Sequence, residues 1–304
     1  MTNVAVRRYE HAVDYDRVGQ FLIDTYQPGD RHDNWLQPRW EYMHYHPLFD
    51  ESLRMAFSST GVWESQGAII ALVHFEHRPD KYFFQVHPDF TCLKRQMLEY
   101  AETYLSVEAG DKKRKIAIWV NDFDTGLQSL VSERGYHSVE GAKDFWSIFE
   151  ICDPFPAIKL PDGFRLQSLA DENDLNKLHR VLHRGFDHPG EPPADGVAGR
   201  ERMQSAPNYR RDLNIVTVAP DGTYASYCGM WQDHANRVAY VEPVCTDPDY
   251  RRMGLGTAVV LEGIRRCGAD GATIAVVGSD QPFYMSMGFR KLFDVNLWAR
   301  EWQV

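Results

Sequence analysis

Hydrophobic and polar positions follow the same order in the two halves of this chain. Each half is predicted to contain a strand, a helix, a polar excursion, a strand pair, a third strand, a helix, another strand, a short helix and an aromatic-rich closing hairpin. The predicted strands are 4–10, 61–64, 68–76, 82–86 and 115–120, then 164–169, 214–219, 223–233, 238–246 and 273–277. The predicted longer helices are 14–25, 93–108, 171–186 and 255–267. This repeat predicts an α/β (α+β) fold with two similar domains.

The ends of the two halves match most closely. Arg134-Gly-Tyr136 corresponds to Met287-Gly-Phe289, and Trp146 corresponds to Trp298. Between the halves, the segment 151–163 contains three prolines and ends on a glycine, which is typical of a linker. The predicted organisation is a first domain at 1–152, a linker at 153–163 and a second domain at 164–304.

Composition and charge narrow the class of partner. The chain has 304 residues, is 43% hydrophobic and 25% charged, and carries a formal net charge of −10. An acidic chain argues against a nucleic-acid partner and is compatible with a cationic substrate, although the same charge also serves solubility. No apolar run approaches the length that spans a membrane, and the N-terminus lacks an apolar signal region. Five scattered cysteines without a CxxC pair favour a reduced, cytoplasmic protein without a zinc ribbon.

The segment 238–257 contains the sequence pattern that is most informative about a binding site. A predicted strand runs into a turn with Gly254 and Gly256, and this turn opens an amphipathic helix. A helix N-terminus presents unpaired N–H groups and a partial positive charge, and glycines let a phosphate approach the backbone. Arg251 and Arg252 add positive charge at the same point. The segment therefore predicts a site for a phosphorylated cofactor.

Two motifs together resemble the GNAT superfamily of acyl-CoA N-acetyltransferases. The first is Arg251-x-x-Gly254-x-Gly256 after a strand, and the second is Phe283-Tyr284-x-x-x-Gly288-Phe289 about thirty residues later. The specific resemblance covers residues 164–302, whereas over residues 1–150 it is one of topology only. It implies two tandem GNAT-like domains, each with a mixed, mostly antiparallel twisted sheet flanked by helices.

The first half departs from this pattern at its cofactor loop. Where the second half has its glycines, the first has His87-Pro-Asp-Phe-Thr-Cys-Leu93-Lys94-Arg-Gln. Side chains at Leu93 and Lys94 occupy positions where a pyrophosphate needs bare backbone. We therefore expect a degenerate first domain without a CoA site, and one cofactor site per chain.

The resemblance implies acetyl-CoA as the cofactor and assigns its contacts to consecutive residues. Backbone N–H groups from Arg252 to Thr257 would hold the pyrophosphate, and the backbone of Val244 to Thr246 would pair with the pantetheine arm. Ser279 and Phe283 are further candidate contacts, and no metal is expected. The candidate cofactor-binding residues are Val244, Cys245, Thr246, Arg251, Arg252, Met253, Gly254, Leu255, Gly256, Thr257, Ser279 and Phe283.

Tyr284 and Glu242 are the candidate catalytic residues. Tyr284 matches the family's tyrosine, which is placed to protonate the departing thiolate; the alternative is a core tyrosine. Strand alternation places Glu242, Val244 and Thr246 on one face, where Glu242 is a candidate base; the alternative is a solvated or salt-bridged glutamate. Pro243 removes a ladder hydrogen bond, which favours either a bulge or an edge strand.

Three other features have simpler interpretations. Ser279 is equally well explained as a turn residue that caps the next helix. Alternation puts the Cys245 side chain on the face opposite Glu242, which disfavours an acyl-cysteine mechanism. His179 and His183 stand one turn apart on a predicted helix without a third ligand, so a half-exposed helix face is favoured over a metal pair.

The sequence thus predicts an N-acetyltransferase that moves an acetyl group directly from acetyl-CoA to an amine of a small-molecule acceptor. The alternative is a non-catalytic acyl-CoA-binding or regulatory module, which would need neither Tyr284 nor Glu242. No nucleic acid or membrane partner is expected. The sequence does not decide whether the protein forms a homodimer.

Overall fold

The computed structural model describes residues 4–29 and 31–303. The chain divides into two compact units, and neither is one continuous segment. The first unit comprises Met1–Met43, Leu48–Phe145 and Leu292–Val304, and the second comprises His44–Pro47 and Trp146–Lys291.

The helices and strands follow closely the order that the hydrophobic pattern predicts. The strands are β1 Val4–Arg8, β2 Gly61–Ser65, β3 Ala68–His74, β4 Lys81–Val86, β5 Val107–Glu108, β6 Lys113–Asn121, β7 His137–Glu150, β8 Arg165–Ser168, β9 Ile215–Val218, β10 Tyr224–Asp233, β11 Val238–Thr246, β12 Ile274–Val277 and β13 Arg290–Gln303. The α-helices are α1 His11–Asp24, α2 Gln37–Tyr45, α3 Glu51–Phe57, α4 Lys94–Tyr100, α5 Thr125–Glu133, α6 Leu175–Gly185, α7 Val197–Gln204, α8 Leu255–Ala269 and α9 Pro282–Met285. A π-helical turn, Ala101–Leu105, extends α4.

The sheet of the first unit has the order β1-β2-β3-β4-β6-β13, and β5 pairs with β6. Only β4 and β6 run parallel; the other neighbours are antiparallel. Its core is rich in large aromatic side chains, among them the fully buried Trp40 and Trp63.

The sheet of the second unit has the order β8-β9-β10-β11-β12-β7. Again one pair, β11 and β12, is parallel. Every residue of β10 is buried, because helices cover both faces of this sheet. Cys228 and Met230 of β10 pack in a cluster with α8, whereas Tyr227 packs in a cluster with α6. The two helices therefore lie on opposite faces of the sheet.

The predicted closing hairpins are wrong. Each half ends instead on one 14-residue strand, β7 or β13. Residues Ser147–Glu150 of β7 pair with β12 inside the second unit, and Val295–Gln303 of β13 pair with β6 inside the first. The compact units therefore depart from the predicted boundaries, because each half of the sequence supplies the last strand of the other unit.

The turn predicted between β9 and β10 is confirmed. The predicted turn at Pro220–Gly222 joins β9 to β10, with Gly222 at φ 86° and the Gly222 N–H donating to the Ala219 carbonyl at 2.9 Å. The predicted linker has no helix or strand from 151 to 164, although Phe155 and Ile158 pack against the core of the second unit. Within the described ranges, no helix combines the length and apolar character needed to cross a bilayer.

The exchange of β7 and β13 between the two units leads to a prediction about the stability of fragments of the chain. A fragment of residues 164–304 lacks the β7 residues that pair with β12, including Phe149, which is 4% exposed. We expect this fragment to be poorly soluble and to lack a cooperative thermal transition by circular dichroism, because an unpaired interior edge is exposed. The matched fragment 146–291 restores the strand and is expected to be more soluble and more stable. Equal stability of the two fragments would contradict the strand assignment.

Candidate active site

The parallel pairing of β11 with β12 stops halfway along β11. The register joins Val238, Ala239 and Tyr240 to Ile274, Ala275 and Val276, and no pair with β12 follows in the described chain. The stretch from Val241 to Thr246 thus leaves one backbone edge open next to β12. An open edge of this kind can accept an extended ligand as an added strand.

The pairing of β11 with its other neighbour, β10, is interrupted at the same place. Cys228 pairs with Val244 and Met230 pairs with Val241, so Glu242 and Pro243 together oppose the single residue Gly229. This is a β-bulge, and it accommodates the missing N–H of Pro243. Of the two interpretations offered for Pro243, the bulge is confirmed and the edge strand is wrong, since β11 has neighbours on both sides.

Gly229 and Trp231, for which the sequence patterns predict no role, maintain this bulge. A Cβ atom at Gly229 would lie 2.6 Å from the Glu242 carbonyl oxygen, so a side chain at this position would clash with backbone. The Trp231 indole N–H donates to the same carbonyl oxygen at 2.9 Å. A glycine inside a strand is itself a signal for a bulge or a close backbone approach, and Gly229 could have been found from it.

Beyond β11, the chain turns into α8 through residues with left-handed backbone. Arg252 has φ 66° and Gly254 has φ 81°, and Gly254 is the N-cap of α8 without any side chain to cap the helix. The first N–H groups of α8, from Leu255 to Thr257, therefore lack a side-chain acceptor at the N-cap, as an anion site at a helix start requires. Arg252, Met253 and Gly254 are exposed here, whereas Leu255 is buried in the core.

Gly256 brings three of the predicted contact residues together. A Cβ atom on Gly256 would lie 3.0 Å from the Thr246 hydroxyl oxygen and 3.2 Å from the Phe283 ring. The end of β11, the start of α8 and the helix α9 therefore meet at one point, and only a glycine fits there without displacing a neighbour.

Arg251 is engaged with backbone and with a carboxylate. Its guanidinium donates to the carbonyl oxygens of Thr246 and Gly185 at 3.2 and 3.1 Å, and pairs with Asp187 at 2.8 Å. The structure thus links the loop to the end of α6 through Arg251. The Arg252 side chain is exposed.

Tyr284 lies on α9, and its surroundings favour the protonated phenol. Its side chain is 8% exposed and packs edge-to-face against Phe283 and Phe289, with ring centroids 4.9 and 5.5 Å away. Burial, followed by the nearby Cys228 and Glu242, raises the pKa of Tyr284 well above its usual value. No hydrogen bond engages the Tyr284 hydroxyl within the part of the chain that the structure describes.

The faces of β11 follow the predicted alternation. Glu242, Val244 and Thr246 are partly exposed, whereas Pro243 and Cys245 are buried. The Cys245 thiol donates to the Val181 carbonyl oxygen of α6 at 3.4 Å, and burial raises its pKa to about 12. A thiol with this pKa is almost fully protonated at neutral pH and is a poor nucleophile.

The structure also shows the surroundings of Ser279 and of the two α6 histidines, His179 and His183. The Ser279 hydroxyl accepts a hydrogen bond from the Gln281 N–H at 3.3 Å, as a turn serine does. The predicted capping of α9 by Ser279 is wrong, because the N-cap is Gln281 and no side chain caps this helix. His179 and His183 are 8% and 9% exposed, so the expected half-exposed face is wrong. The His179 ring packs against the turn before α7, at Gly196, and the His183 ring lies between those of His179 and His188. Among the described residues, no group of three or more His, Cys, Asp or Glu could hold a metal ion.

In the first unit, the position that corresponds to the α8 start carries side chains. Leu93 is buried, and the Lys94 ammonium pairs with the Asp124 carboxylate at 2.6 Å. A cavity of about 500 Å³ lies beside this ion pair. The absence of a CoA site in this unit stays a prediction.

Comparisons with known proteins agree with this geometry. Residues 177–289 match the model of the Acetyltransferase (GNAT) family. A GCN5-related N-acetyltransferase from Sphaerobacter thermophilus is similar over 98% of this chain and 95% of its own, with a TM-score of 0.64 and 15% identity. A tandem GNAT protein from the clavulanic acid biosynthesis pathway covers 98% of both chains, with a TM-score of 0.62 and 15% identity. No curated protein matches the sequence.

Residues 177–289 therefore match a GNAT acetyltransferase domain, and nearly the whole chain has the same fold as these two proteins, one of which is a tandem GNAT protein. This confirms the predicted fold class, and the match over residues 177–289 supports the family predicted from the two motifs.

The buried carboxylate of Asp247 holds the end of β11 against α6. Asp247 is fully buried and accepts from Arg184 at 2.7 and 3.0 Å and from Arg180 at 3.1 Å. Burial alone would raise the pKa of Asp247, but the hydrogen bonds from Arg184 and the Asp249 N–H, with the charges of Arg184 and Arg180, hold it below the usual value. We expect Asp247→Asn to lower the free energy of unfolding by about 3 kcal/mol at pH 7, measured by urea denaturation.

Because the folded-state pKa of Asp247 is depressed, this contribution is present above about pH 4 and is lost as the pH falls through the folded-state pKa. The difference between the native protein and the variant should therefore shrink at pH 3. Asp249→Asn is the control, since that side chain is 69% exposed although it pairs with Arg184 at 2.6 Å. Equal effects of the two substitutions at pH 7 would show that the buried pair does not stabilise this site.

Proposed function

We propose that the second unit is an acetyl-CoA-dependent N-acetyltransferase for a small-molecule amine. The observation that carries this proposal is the position of Glu242 and Tyr284 around the interrupted stretch of β11. The glycines at the start of α8, Gly254 and Gly256, would be explained by a phosphate-binding site alone. The partly exposed carboxylate of Glu242 would supply a proton acceptor on this stretch. The buried, protonated phenol of Tyr284, which packs in the same cluster as Val241 and Val244, would supply a proton donor.

The residues around this edge fit acetyl-CoA. The backbone of Val244 to Thr246 would hold the pantetheine arm along the open edge, and the N–H groups at the start of α8 would hold the pyrophosphate. The bare Gly254 and the close packing at Gly256 keep side chains away from that position. Bound here, acetyl-CoA supplies an acetyl group activated as a thioester.

Two residues of the chain would then accept and donate the protons of the reaction. Glu242 accepts a proton from the acceptor amine as the new N–C bond forms, and Tyr284 donates its phenolic proton to sulfur as the C–S bond breaks. Burial keeps the Tyr284 phenol protonated, as a proton donor must be. The buried, protonated Cys245 thiol faces α6, which supports direct transfer over an acyl-cysteine route.

The acceptor is proposed to be cationic, because the chain carries a net charge of −10 and a protonated amine is attracted by acidic surroundings. The test is release of free thiol from acetyl-CoA with a panel of small amines, beside thermal stabilisation of the protein by CoA. Stabilisation together with turnover supports the proposal. Stabilisation without turnover of any amine would favour a non-catalytic acyl-CoA-binding module.

Removing the Tyr284 hydroxyl should separate catalysis from binding. We expect Tyr284→Phe to lower kcat by about 10²–10⁴-fold with little change in the KM for acetyl-CoA, because the hydroxyl acts on the leaving thiolate. Tyr224→Phe is the control; that hydroxyl donates to the Glu172 carbonyl at 3.1 Å. Unchanged turnover in Tyr284→Phe would remove this residue from the mechanism.

Replacing the carboxylate of Glu242 should alter the pH dependence. If Glu242 is the base, Glu242→Gln should abolish the acidic limb of the kcat/KM profile and reduce the plateau by about 10²–10⁴-fold. The measurement is a pH–rate profile of both proteins with the same amine. An acidic limb that persists at the same position in the variant would assign the base to another group.

A further inference from the structure

The first unit has the same interruption between parallel strands as the second. Its parallel pair joins Lys81 and Tyr82 of β4 to Ala117 and Ile118 of β6, and no further pair between these strands follows in the described chain. The stretch 83–86 of β4 pairs with β3 on one side, and its other backbone edge has no strand beside it. In the second unit, the corresponding edge of β11 is the one proposed to hold the pantetheine arm.

Val86 of β4 and Thr246 of β11 occupy equivalent positions. The N–H of the next residue, His87 or Asp247, donates to the antiparallel neighbour in its own unit, β3 or β10, at 2.8 or 3.0 Å. Hydrogen-bonding directions alternate along an antiparallel strand, so the N–H and carbonyl of Val86 and of Thr246 point to the other edge. These are the groups that an added strand would bind.

In the first unit, a side chain already binds this edge. The Val86 N–H donates to the Asn34 Oδ1 atom at 2.8 Å, and the Asn34 Nδ2 atom donates to the Val86 carbonyl at 3.0 Å. The Asn34 amide thus forms the two hydrogen bonds that a residue of an antiparallel neighbour would form. Asn34 is 6% exposed, so both bonds are shielded from solvent.

A third hydrogen bond fixes the orientation of the Asn34 amide. The Thr25 hydroxyl donates to the Phe21 carbonyl at 2.7 Å, so its oxygen accepts from the Asn34 Nδ2 atom at 2.9 Å. Both hydrogens and the oxygen of the amide are therefore used. A flipped amide would set an N–H group against the Val86 N–H.

The segment 33–35 contacts both of the strands that diverge. The Asp33 carbonyl accepts from the Asn121 side chain, at the end of β6, at 3.3 Å. The Trp35 N–H donates to the Gln85 side chain of β4 at 2.7 Å. The segment therefore bridges β4 and β6 beyond the last pair that joins them.

The second unit differs at the equivalent position. Within the described ranges, no side chain accepts from the Thr246 N–H, and the Thr246 carbonyl accepts from the Arg251 guanidinium at 3.2 Å. The backbone N–H on this edge of β11 is therefore available to a ligand, whereas the corresponding N–H of β4 is not.

We propose that the segment 33–35 occupies the acyl-donor groove of the first unit, with the Asn34 amide in the place of an amide of the pantetheine arm. The chain itself then closes this unit to acyl-CoA, in addition to the side chains of Leu93 and Lys94. Glycines at these two positions alone would not create a second CoA site. The proposal rests on the proposed function only for the identity of the excluded ligand.

Amide hydrogen exchange of the ligand-free protein tests whether the edge is occupied. We expect the Val86 amide to exchange at least about tenfold more slowly than the Thr246 amide, because of the two only Val86 donates to a fixed side-chain acceptor. Asn34→Ala should remove this difference. Gln20→Ala, which removes an exposed amide bound to Asp24, is the control and should preserve it.

The comparison of Val86 with Thr246 needs no variant, so it decides the matter even if Asn34→Ala does not fold. A Val86 amide that exchanges as fast as the Thr246 amide in the native protein would overturn the proposal.

Pantetheine tests whether the segment takes the place of the ligand. This probe lacks the pyrophosphate, so the side chains at the cofactor loop do not oppose it. In Asn34→Ala, pantetheine should slow the Val86 amide again and leave the His87 amide, which donates to β3, unchanged. In the native protein, pantetheine should slow the Thr246 amide and not the Val86 amide.

Two results with pantetheine would overturn the proposal. One is slower exchange of Val86 in the native protein, and the other is no slowing of Val86 in folded Asn34→Ala. An unchanged Thr246 amide in the native protein, with Val86 slowed in the variant, supports the proposal and counts against the proposed function of the second unit. The two failures are therefore distinguishable.

Discussion

The second unit depends on one interruption in its sheet, the bulge at Glu242 and Pro243 opposite Gly229. A continuous ladder would hold β11 against both neighbours over its whole length and leave no open edge. The bulge fits only because Gly229 has no side chain and because Trp231 satisfies the Glu242 carbonyl. The pairing with β12 also ends just before this bulge, after Tyr240, and Glu242 within the bulge is partly exposed.

The structure holds the end of β11 from both faces of the sheet. On one face, Asp247 pairs with Arg180 and Arg184 of α6, and Arg251 binds the carbonyls of Thr246 and Gly185. On the other face, Gly256 packs against Thr246 and Phe283. A strand released from one neighbour would otherwise lose its position, and these contacts keep it fixed for a ligand.

Much of this arrangement could be predicted from the sequence, because its signals are local. Each of these signals spans only a few residues: the glycine turn, the aromatic-tyrosine motif and the alternation from Glu242 to Thr246. The strand β11 also has the bounds that the sequence predicts, Val238–Thr246. The exchange of β7 and β13 could not be predicted, since strand pairing over long separations leaves no local pattern. The burial of His179 was missed for a similar reason: it depends on Gly196, which the helical period of α6 does not report.

We propose that one acyl-CoA binds per chain, along the open edge of β11 and at the start of α8. Amide hydrogen exchange with and without CoA tests it most directly. We expect new protection of the amides from Val244 to Thr246 and from Arg252 to Thr257, and none at the corresponding turn of the first unit, 87–95. Protection confined to residues 87–95, or no protection in either unit, would contradict it.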